Sequence, residues 1–173
     1  VSEAAGENAV LVTDVGQNQM MSSRYFNYTT PKSIVTSGGL GTMGFGLPAA
    51  IGAKIGAPER TVCFFVGDGG IQMTIEELGV ILQYGVGVKI VILNNNFLGM
   101  VRQWQDIFYQ KRYSQTPMVN PDFVALAKAY SIPAEEVNSR EELDAAIERM
   151  MSHDGAYVLN VKVETEGYVF PMV

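Results

Sequence analysis

Short apolar runs rich in β-branched and aromatic residues alternate along this chain with segments of helical periodicity. Runs of this length and composition predict β-strands. The two strongest cover residues 61–66 (TVCFFV) and 89–93 (KIVIL), and three more cover residues 9–13, 33–36 and 157–163. Because the runs are almost continuously apolar, we expect a mainly parallel sheet with helices on both faces.

Helix signals lie between the predicted strands. Capping-box patterns, in which a Ser or Thr precedes a Glu by three residues, begin at Thr74 and Ser139. Asn120 offers an N-cap before Pro121, and Gly85 is suited to end the helix that starts near Thr74. The alternation of strands and helices predicts a doubly wound α/β fold, in which ligands bind beyond the carboxyl ends of the strands.

Composition narrows the classes of protein that fit this pattern. The chain has 173 residues, of which 47% are hydrophobic and 17% charged, so residues 1–173 are expected to form a single domain with a packed core. The net charge of -6 argues against a nucleic-acid partner, which requires a basic face. A single cysteine, Cys63, excludes a disulfide framework and a cysteine-based zinc site, and its apolar strand predicts an unreactive core thiol.

Neither a membrane span nor a signal peptide is predicted. No apolar run approaches the ~20 residues that a membrane helix needs. The first seven residues, VSEAAGE, have neither the basic flank nor the apolar stretch of a signal peptide. We therefore expect a cytoplasmic protein without a membrane partner.

Glycines and polar residues follow three of the predicted strands, where a ligand would bind. The segments are TDVGQN at 13–18, GDGG at 67–70 and NNN at 94–96. Asp68 offers a hard carboxylate oxygen and the asparagines offer neutral amide oxygens, which Mg²⁺ accepts together with phosphates. Each segment alone is compatible with ordinary turn chemistry. Their combination at strand ends favours a metal–phosphate site.

A formal GxGxxG pattern, formed by Gly39, Gly41 and Gly44, follows one predicted strand. A dinucleotide fingerprint also requires an acidic residue at the end of the next strand, about 20 residues on. Glu59 has roughly that spacing but precedes the strand, and Asp68, which ends it, lies too far along. A tight turn and close packing explain the glycines better, and a nicotinamide-binding oxidoreductase is the lesser alternative.

The spacing between Gly-Asp-Gly at 67–69 and Asn95 narrows the assignment. Asn95 follows Asp68 by 27 residues, which resembles the thiamine diphosphate signature, GDG followed just under thirty residues later by NN. The segments TDVGQ at 13–17, TSGGLGTMGFGLPAA at 36–50 and LNNNFLGMVRQW at 93–104 are similar to the C-terminal domain of the acetolactate synthase (acetohydroxyacid synthase) large-subunit family. The similarity covers nearly the whole chain.

The resemblance implies a thiamine diphosphate site that contains Mg²⁺. The carboxylate of Asp68, the side chain of Asn95 and the backbone carbonyl of Phe97 would bind the metal. The residues implied to bind the cofactor are Gly16, Gln17, Asn18, Gly41, Met43, Gly67, Asp68, Gly69, Gly70, Asn95, Phe97, Leu98, Gly99 and Met100. The family usually has His where this chain has Asn18, although Asn can still donate a hydrogen bond.

The resemblance also implies catalytic roles for three residues. Met43 would be the apolar buttress that holds the cofactor bent, so that its pyrimidine amino group can deprotonate its thiazolium C2. Met100 and Trp104 would line the substrate channel, with Trp104 shaping the pocket for the second 2-ketoacid. Helical spacing alone would equally well place Trp104 in the core.

The implied activity is that of acetolactate synthase, in which pyruvate is decarboxylated and condensed with pyruvate or 2-oxobutyrate in branched-chain amino-acid biosynthesis. Another thiamine diphosphate enzyme, a 2-ketoacid decarboxylase or oxidase, is the alternative, and the segment MVRQW at 100–104 argues against it.

The resemblance implies several partners. In the family, a glutamate that protonates the pyrimidine lies in the N-terminal pyrimidine-binding domain of a second subunit, and FAD binds mostly in a middle domain. Neither domain is matched here, so we expect an excised domain, or one part of a split enzyme, that is inactive alone. The complete enzyme is expected to be a homodimer or homotetramer, with a possible small regulatory subunit.

Overall fold

Within residues 1–171, which the computed structural model describes, six strands form one parallel sheet in the order β2-β1-β3-β4-β6-β5. Met172 and Val173, the last two residues of the predicted domain, lie outside the described part of the chain. The strands are β1 (Val10–Thr13), β2 (Ile34–Val35), β3 (Val62–Gly67), β4 (Val88–Asn94), β5 (Ala134–Val137) and β6 (Tyr157–Lys162).

Helices connect the strands and cover both faces of the sheet, as the apolar pattern predicts. Those of the described chain are α1 (Ser2–Ala5), α2 (Gln17–Tyr25), α3 (Gly46–Gly56), α4 (Asp68–Ile71), α5 (Leu78–Tyr84), α6 (Gly99–Phe108), α7 (Phe123–Ala129) and α8 (Arg140–Ser152), and a 3-10 turn, Ile75–Glu77, leads into α5. One face carries α3, α5 and α7, and the other carries α1, α2 and α8. Among residues 1–171 we find no helix that is both long and apolar enough to span a membrane.

Adjacent residues of β3 show why this strand is apolar throughout. Phe64 and Cys63 are both fully buried, although their side chains point to opposite faces of the sheet. Phe64 packs in the cluster under α3 and α5, whereas Cys63 packs with Leu11 and Phe26. Burial raises the pKa of the Cys63 thiol to about 12, so the predicted unreactive core thiol is confirmed.

All five predicted strands are present, and their ends lie within one residue of the predicted ones. The sheet also contains β5 (AEEV), an edge strand that the apolar pattern did not predict. The pattern missed this strand because two of its four residues are glutamates, which are atypical of β-strands. At the edge of the sheet, however, Glu135 accepts hydrogen bonds from Arg149 and Tyr157 and stays partly exposed.

Two predicted helix ends are confirmed in position. Gly85 has φ 64 and ψ 37, the left-handed conformation that closes α5. The helix α8 begins directly after Ser139, as the capping pattern predicts. The capping box predicted there does not form, however, because Ser139 makes no side-chain capping bond and Glu142 accepts the backbone N–H of Asn138 instead of that of Ser139.

Two other predicted caps bind elsewhere. Thr74 precedes the 3-10 turn, but its hydroxyl donates to the Gly44 carbonyl at 2.9 Å and accepts no N–H of the helix start. The helix α7 begins at Phe123, so the N-cap predicted at Asn120 is wrong. Asp122 is the cap, because its carboxylate accepts the N–H of Ala125 at 2.9 Å. Thr74 is thus bound to the glycine-rich loop before α3, and Asn120 is free to bind Asp68 after β3.

The chain changes direction in the sheet between β1 and β3. The first crossover places β2 on one side of β1, and the return places β3 on the other side. At such a switch point the loops that follow two neighbouring strands diverge and leave a crevice. Residues 15–18, after β1, and residues 67–70, at the end of β3, therefore form walls of this crevice.

Candidate functional site

A cleft of about 410 Å³ opens beyond the carboxyl ends of β1, β3 and β4. Its walls come from α2, the glycine-rich loop before α3, the short helix α4, the start of α6 and the segment after β6. Every residue that the sequence assigns to the cofactor lines this cleft: Gly16, Gln17, Asn18, Gly41, Met43, Gly67, Asp68, Gly69, Gly70, Asn95, Phe97, Leu98, Gly99 and Met100.

The first turn of α2 forms one wall of the cleft, with Gly16, Gln17 and Asn18. The side chain of Asn18 is buried, and its Nδ2 donates to the Val15 carbonyl at 3.0 Å. Among the described residues, its Oδ1 has no hydrogen-bond partner. A buried amide oxygen without a partner is costly, so this atom fits a site that is completed by a ligand or by the waters around it.

Asp14, directly after β1, holds the glycine-rich loop against the sheet. Its buried carboxylate accepts the backbone N–H groups of Gly44 (3.0 Å) and Gly46 (2.9 Å) through Oδ2, and that of Val15 (2.8 Å) through Oδ1. Gly44 has φ 86, a conformation that other residues rarely adopt. Because a carboxylate occupies the N–H groups at the end of the GxGxxG pattern, the loop is poorly suited to a dinucleotide pyrophosphate. The predicted roles in a tight turn and in close packing fit this loop.

The buried carboxylate of Asp68 lies at the start of α4. Its Oδ2 accepts the backbone N–H of Asn96 at 2.8 Å and the side-chain Nδ2 of Asn120 at 2.6 Å, and its Oδ1 accepts the N–H of Gly69 at 3.1 Å. Burial raises the pKa of Asp68 above its ordinary value, whereas these hydrogen bonds lower it. A cation beside the carboxylate would stabilise its ionised form, so the local electrostatics suit a divalent metal.

The turn after β4 brings Asn95 and Phe97 to the same cleft. The Oδ1 of Asn95 accepts the backbone N–H of Phe97 at 3.1 Å. Between them, Asn96 has φ 59, a left-handed conformation that asparagine tolerates better than most residues. Gly99 then begins α6, where a Cβ would overlap Oε1 of Gln17. A glycine is therefore required for α6 to approach the first turn of α2 this closely.

These groups fit Mg²⁺ bound to a diphosphate. The carboxylate of Asp68, the amide of Asn95 and the carbonyl of Phe97 are oxygen ligands of the kind that hard cations accept. Across residues 1–171, no group of three or more His, Cys, Asp or Glu side chains could hold a metal ion. A cation in this cleft would therefore need amide, carbonyl and phosphate oxygens as well as Asp68, and the free N–H groups at the start of α2 suit the phosphates.

Trp104 stands apart from the other predicted site residues. Its side chain is 50% exposed, and its ring lies 5.3 Å from that of Phe108 at an interplanar angle of 54°. The exposure excludes a role in the core of this chain. Met100, one helical turn earlier on α6, lines the cleft, whereas Trp104 does not. The channel role that the resemblance implies for Trp104 stays a prediction.

Asn120 is a site residue that the sequence analysis missed. Its side chain donates to Asp68, although the sequence pattern indicated a helix N-cap. The signal that could have corrected this assignment is Asp122, an equally good cap two residues later. With α7 capped by Asp122, the Asn120 side chain is free to reach the strand ends.

The segment after β6 is the second feature that was missed. Glu164 and Gly167 from this segment line the cleft. Gln103, fully buried on α6, holds the segment in place: its Nε2 donates to the Val169 carbonyl at 2.9 Å, and its Oε1 accepts the Val169 N–H at 3.1 Å. No local pattern predicts this arrangement, because it depends on long-range packing.

Comparison with known proteins agrees with this geometry. The family model described as thiamine pyrophosphate enzyme, C-terminal TPP binding domain, matches residues 14–161. The chain is 43% identical to the acetolactate synthase isozyme 2 large subunit of Escherichia coli (strain K12), over 100% of the chain and 32% of that relative. It is 45% identical to the mitochondrial acetolactate synthase catalytic subunit of Saccharomyces cerevisiae, over 100% of the chain and 25% of the relative. It is 46% identical to an acetolactate synthase of Arthrospira platensis, over 96% of the chain and 29% of the relative.

The chain thus spans about a quarter to a third of the length of these relatives. The chain belongs to the thiamine pyrophosphate enzyme family, as a C-terminal thiamine-pyrophosphate-binding domain.

Proposed function

We propose that residues 1–173 form the domain of an acetolactate synthase that binds thiamine diphosphate and Mg²⁺. The complete enzyme decarboxylates pyruvate and condenses the product with a second 2-ketoacid, pyruvate or 2-oxobutyrate, in branched-chain amino-acid biosynthesis. Support comes from the family match and from relatives that are named acetolactate synthases.

One observation carries the proposal. The fourteen residues assigned to the cofactor come from four separate stretches of sequence, and all of them line one cleft at the switch point of the sheet. A set chosen wrongly from the sequence would be scattered over the molecule. Their convergence supports a single phosphate and metal site.

When bound, thiamine diphosphate supplies the electron sink for decarboxylation, so the protein contributes positioning and electrostatics. Asp68, Asn95 and the backbone carbonyl of Phe97 would hold Mg²⁺ beside the diphosphate. The first turn of α2 would direct its free N–H groups at the phosphates. Met43 would support the bent cofactor from the cleft wall, and Met100 would line the substrate channel.

The proposal includes partners beyond this chain. The N-terminal pyrimidine-binding domain of a second subunit would supply the glutamate that activates the pyrimidine, within a homodimer or homotetramer. FAD would bind mostly outside this chain, and a small regulatory subunit is a further partner. The cytoplasmic location stays a prediction, since one of the similar proteins is named mitochondrial.

Titration calorimetry of thiamine diphosphate into the full-length protein, with and without Mg²⁺, tests the proposal. Asp68→Ala removes the carboxylate ligand and is expected to abolish Mg²⁺-dependent binding, and Asn95→Ala should do nearly the same. Asp122→Asn keeps an exposed helix cap and serves as the control. Unchanged cofactor affinity in both site variants would overturn the assignment.

Product analysis of the full-length protein separates the proposed activity from that of other thiamine diphosphate enzymes. Acetolactate is the expected product from pyruvate. A free aldehyde would indicate a decarboxylase, and an oxidised acid would indicate an oxidase.

A further inference from the structure

Two amide side chains form a chain of hydrogen bonds behind Asp68. The Nδ2 of Asn120 donates to Oδ2 of Asp68 at 2.6 Å and also lies 3.2 Å from Oδ1 of Asn96. The Nε2 of Gln72 in turn donates to Oδ1 of Asn120 at 3.0 Å and to the backbone carbonyl of Asp68 at 2.9 Å. The order is thus Gln72 to Asn120 to the Asp68 carboxylate.

Gln72 determines which way the Asn120 amide points. An asparagine amide can present either its oxygen or its nitrogen to a neighbour unless both ends are bound. Because Gln72 donates to the oxygen end, the nitrogen end must face Asp68. A reversed amide would place an oxygen against the carboxylate and two NH₂ groups against each other.

The hydrogen bonds on Asp68 are unevenly divided between its oxygens. Oδ2 accepts both Asn120 Nδ2 and the backbone N–H of Asn96, whereas Oδ1 accepts the N–H of the following residue, Gly69. Two donors on one oxygen fix the rotation of the carboxylate. The other oxygen retains the greater capacity for a cation.

We propose that Asn120, oriented by Gln72, is a positioning residue that presents Oδ1 of Asp68 to Mg²⁺; this inference rests on the function proposed above. Ligating carboxylates are commonly held by such outer hydrogen bonds, whose loss weakens metal binding. A mere helix-capping role does not explain Asn120, because Asp122 caps α7 through the N–H of Ala125. The hydrogen bonds of Asn120 run to the strand ends and to Gln72.

The test is a titration of Mg²⁺ into the full-length protein at saturating thiamine diphosphate, with cofactor binding followed by calorimetry. Asn120→Ala is expected to raise the Mg²⁺ concentration for half-maximal binding by about 10- to 100-fold. Gln72→Met should raise it less. Because Gln72 acts through Asn120, the double variant should need no more Mg²⁺ than Asn120→Ala alone.

Asp122→Ala is the matched control on the same loop. It removes the cap of α7 and lowers stability, but it does not touch Asp68, so its Mg²⁺ requirement should equal that of the wild type. A merely structural role of this loop would raise the Mg²⁺ requirement equally in Asp122→Ala and Asn120→Ala, which would overturn the inference.

A Mg²⁺ requirement of Asn120→Ala within about twofold of the wild type would also overturn it, since an outer-shell loss is larger. If Asp68→Ala still abolished binding in that case, the proposed function would stand without the inference. If the wild-type protein bound no thiamine diphosphate in the presence of Mg²⁺, that result would instead contradict the proposed function. Should Asn120→Ala fail to fold, the same threshold applies to Gln72→Met.

Discussion

The Oδ2 atom of Asp14 accepts the backbone N–H of Gly46 at 2.9 Å, and this hydrogen bond joins the end of β1 to the start of α3. The same oxygen accepts the N–H of Gly44, and Oδ1 accepts that of Val15. The carboxylate is thus surrounded by donors in a buried position. It stabilises the glycine-rich loop that carries Gly41 and Met43 into the cleft.

Asp14→Asn is expected to destabilise the 173-residue chain. The new NH₂ group faces a backbone N–H in either orientation of the amide, so at least one buried donor loses its acceptor. The expected loss is about 1–3 kcal/mol in the free energy of unfolding, measured by urea denaturation. Asp122→Asn is the matched control, because asparagine is an equally good cap at an exposed helix start. Equal stability of the two variants would contradict the role of Asp14.

Trp104 and Gln103 are neighbours on α6 with opposite environments, since Trp104 is 50% exposed and Gln103 is fully buried. Trp104→Leu should change the unfolding free energy of the chain by less than about 1 kcal/mol, because little of its contact surface is in the core. Gln103→Leu should cost about 1–3 kcal/mol, because the buried N–H and C=O of Val169 lose their partners. Thermal and urea unfolding of both variants measures the contrast.

In the complete enzyme, Trp104→Leu is expected to alter the preference between pyruvate and 2-oxobutyrate as the second substrate. Competition between the two ketoacids gives this preference directly. An unchanged substrate preference, together with a large loss of stability in the chain alone, would show that Trp104 has a structural role.

The ion pair between Glu135 and Arg149 should make stability depend on pH. The Arg149 side chain contacts both carboxylate oxygens of Glu135, and these hydrogen bonds hold the pKa of Glu135 below its ordinary value. A lowered folded-state pKa stabilises the protein above the unfolded pKa, and this stability is lost as the pH falls through the folded value. Glu135→Gln should therefore cost about 0.2–1 kcal/mol near neutral pH, the usual range for a partly exposed pair.

Urea unfolding of the wild type and of Glu135→Gln across acidic to neutral pH measures this dependence, and the two curves should converge at the acidic end. In the Glu135→Gln background, Arg149→Met should cost less than it does in the wild type, since its partner is already gone. Curves that keep a constant separation at all pH values would show that the charge of Glu135 contributes nothing to the pH dependence of stability.

The 173-residue chain alone is expected to form no acetolactate from pyruvate, even with saturating thiamine diphosphate and Mg²⁺. The proposed function relies on a glutamate from another domain, and a cofactor open to water on one side leaves its reactive intermediates unprotected. Adding the N-terminal and middle domains, in cis or in trans, should restore activity if they dock. The measurement is acetolactate formation by the purified chain.

Robust turnover by the chain alone would mean that one of its own carboxylates replaces the missing glutamate. Among the described residues that line the cleft, Asp68 and Glu164 carry carboxylates, and Asp68 is assigned to the metal. The variant Glu164→Gln would then test whether Glu164 replaces the missing glutamate. Loss of the turnover in this variant, with cofactor binding retained, would identify it.

Local patterns were sufficient for most of the fold. The apolar runs of β1, β3, β4 and β6 predicted a buried parallel sheet because a strand covered on both faces needs apolar residues at every position, as Cys63 and Phe64 show. Gly85 could be predicted as a helix end because only the local backbone decides a left-handed cap. The strand β5 could not be predicted in this way, because its Glu135 and Glu136 find hydrogen-bond donors at the sheet edge only on residues distant in sequence.

By itself, the sequence determined where the residues predicted to carry the cofactor chemistry lie along the chain: a carboxylate and an asparagine pair at fixed spacing after two strands, with glycines around them. Only the tertiary structure decided how those residues are held. Asn120 reaches Asp68 across 52 positions of sequence, and Gln103 holds the Val169 backbone across 66. Side-chain hydrogen bonds of this kind depend on which elements the sheet order brings together, and that order arises from long-range packing and not from local periodicity.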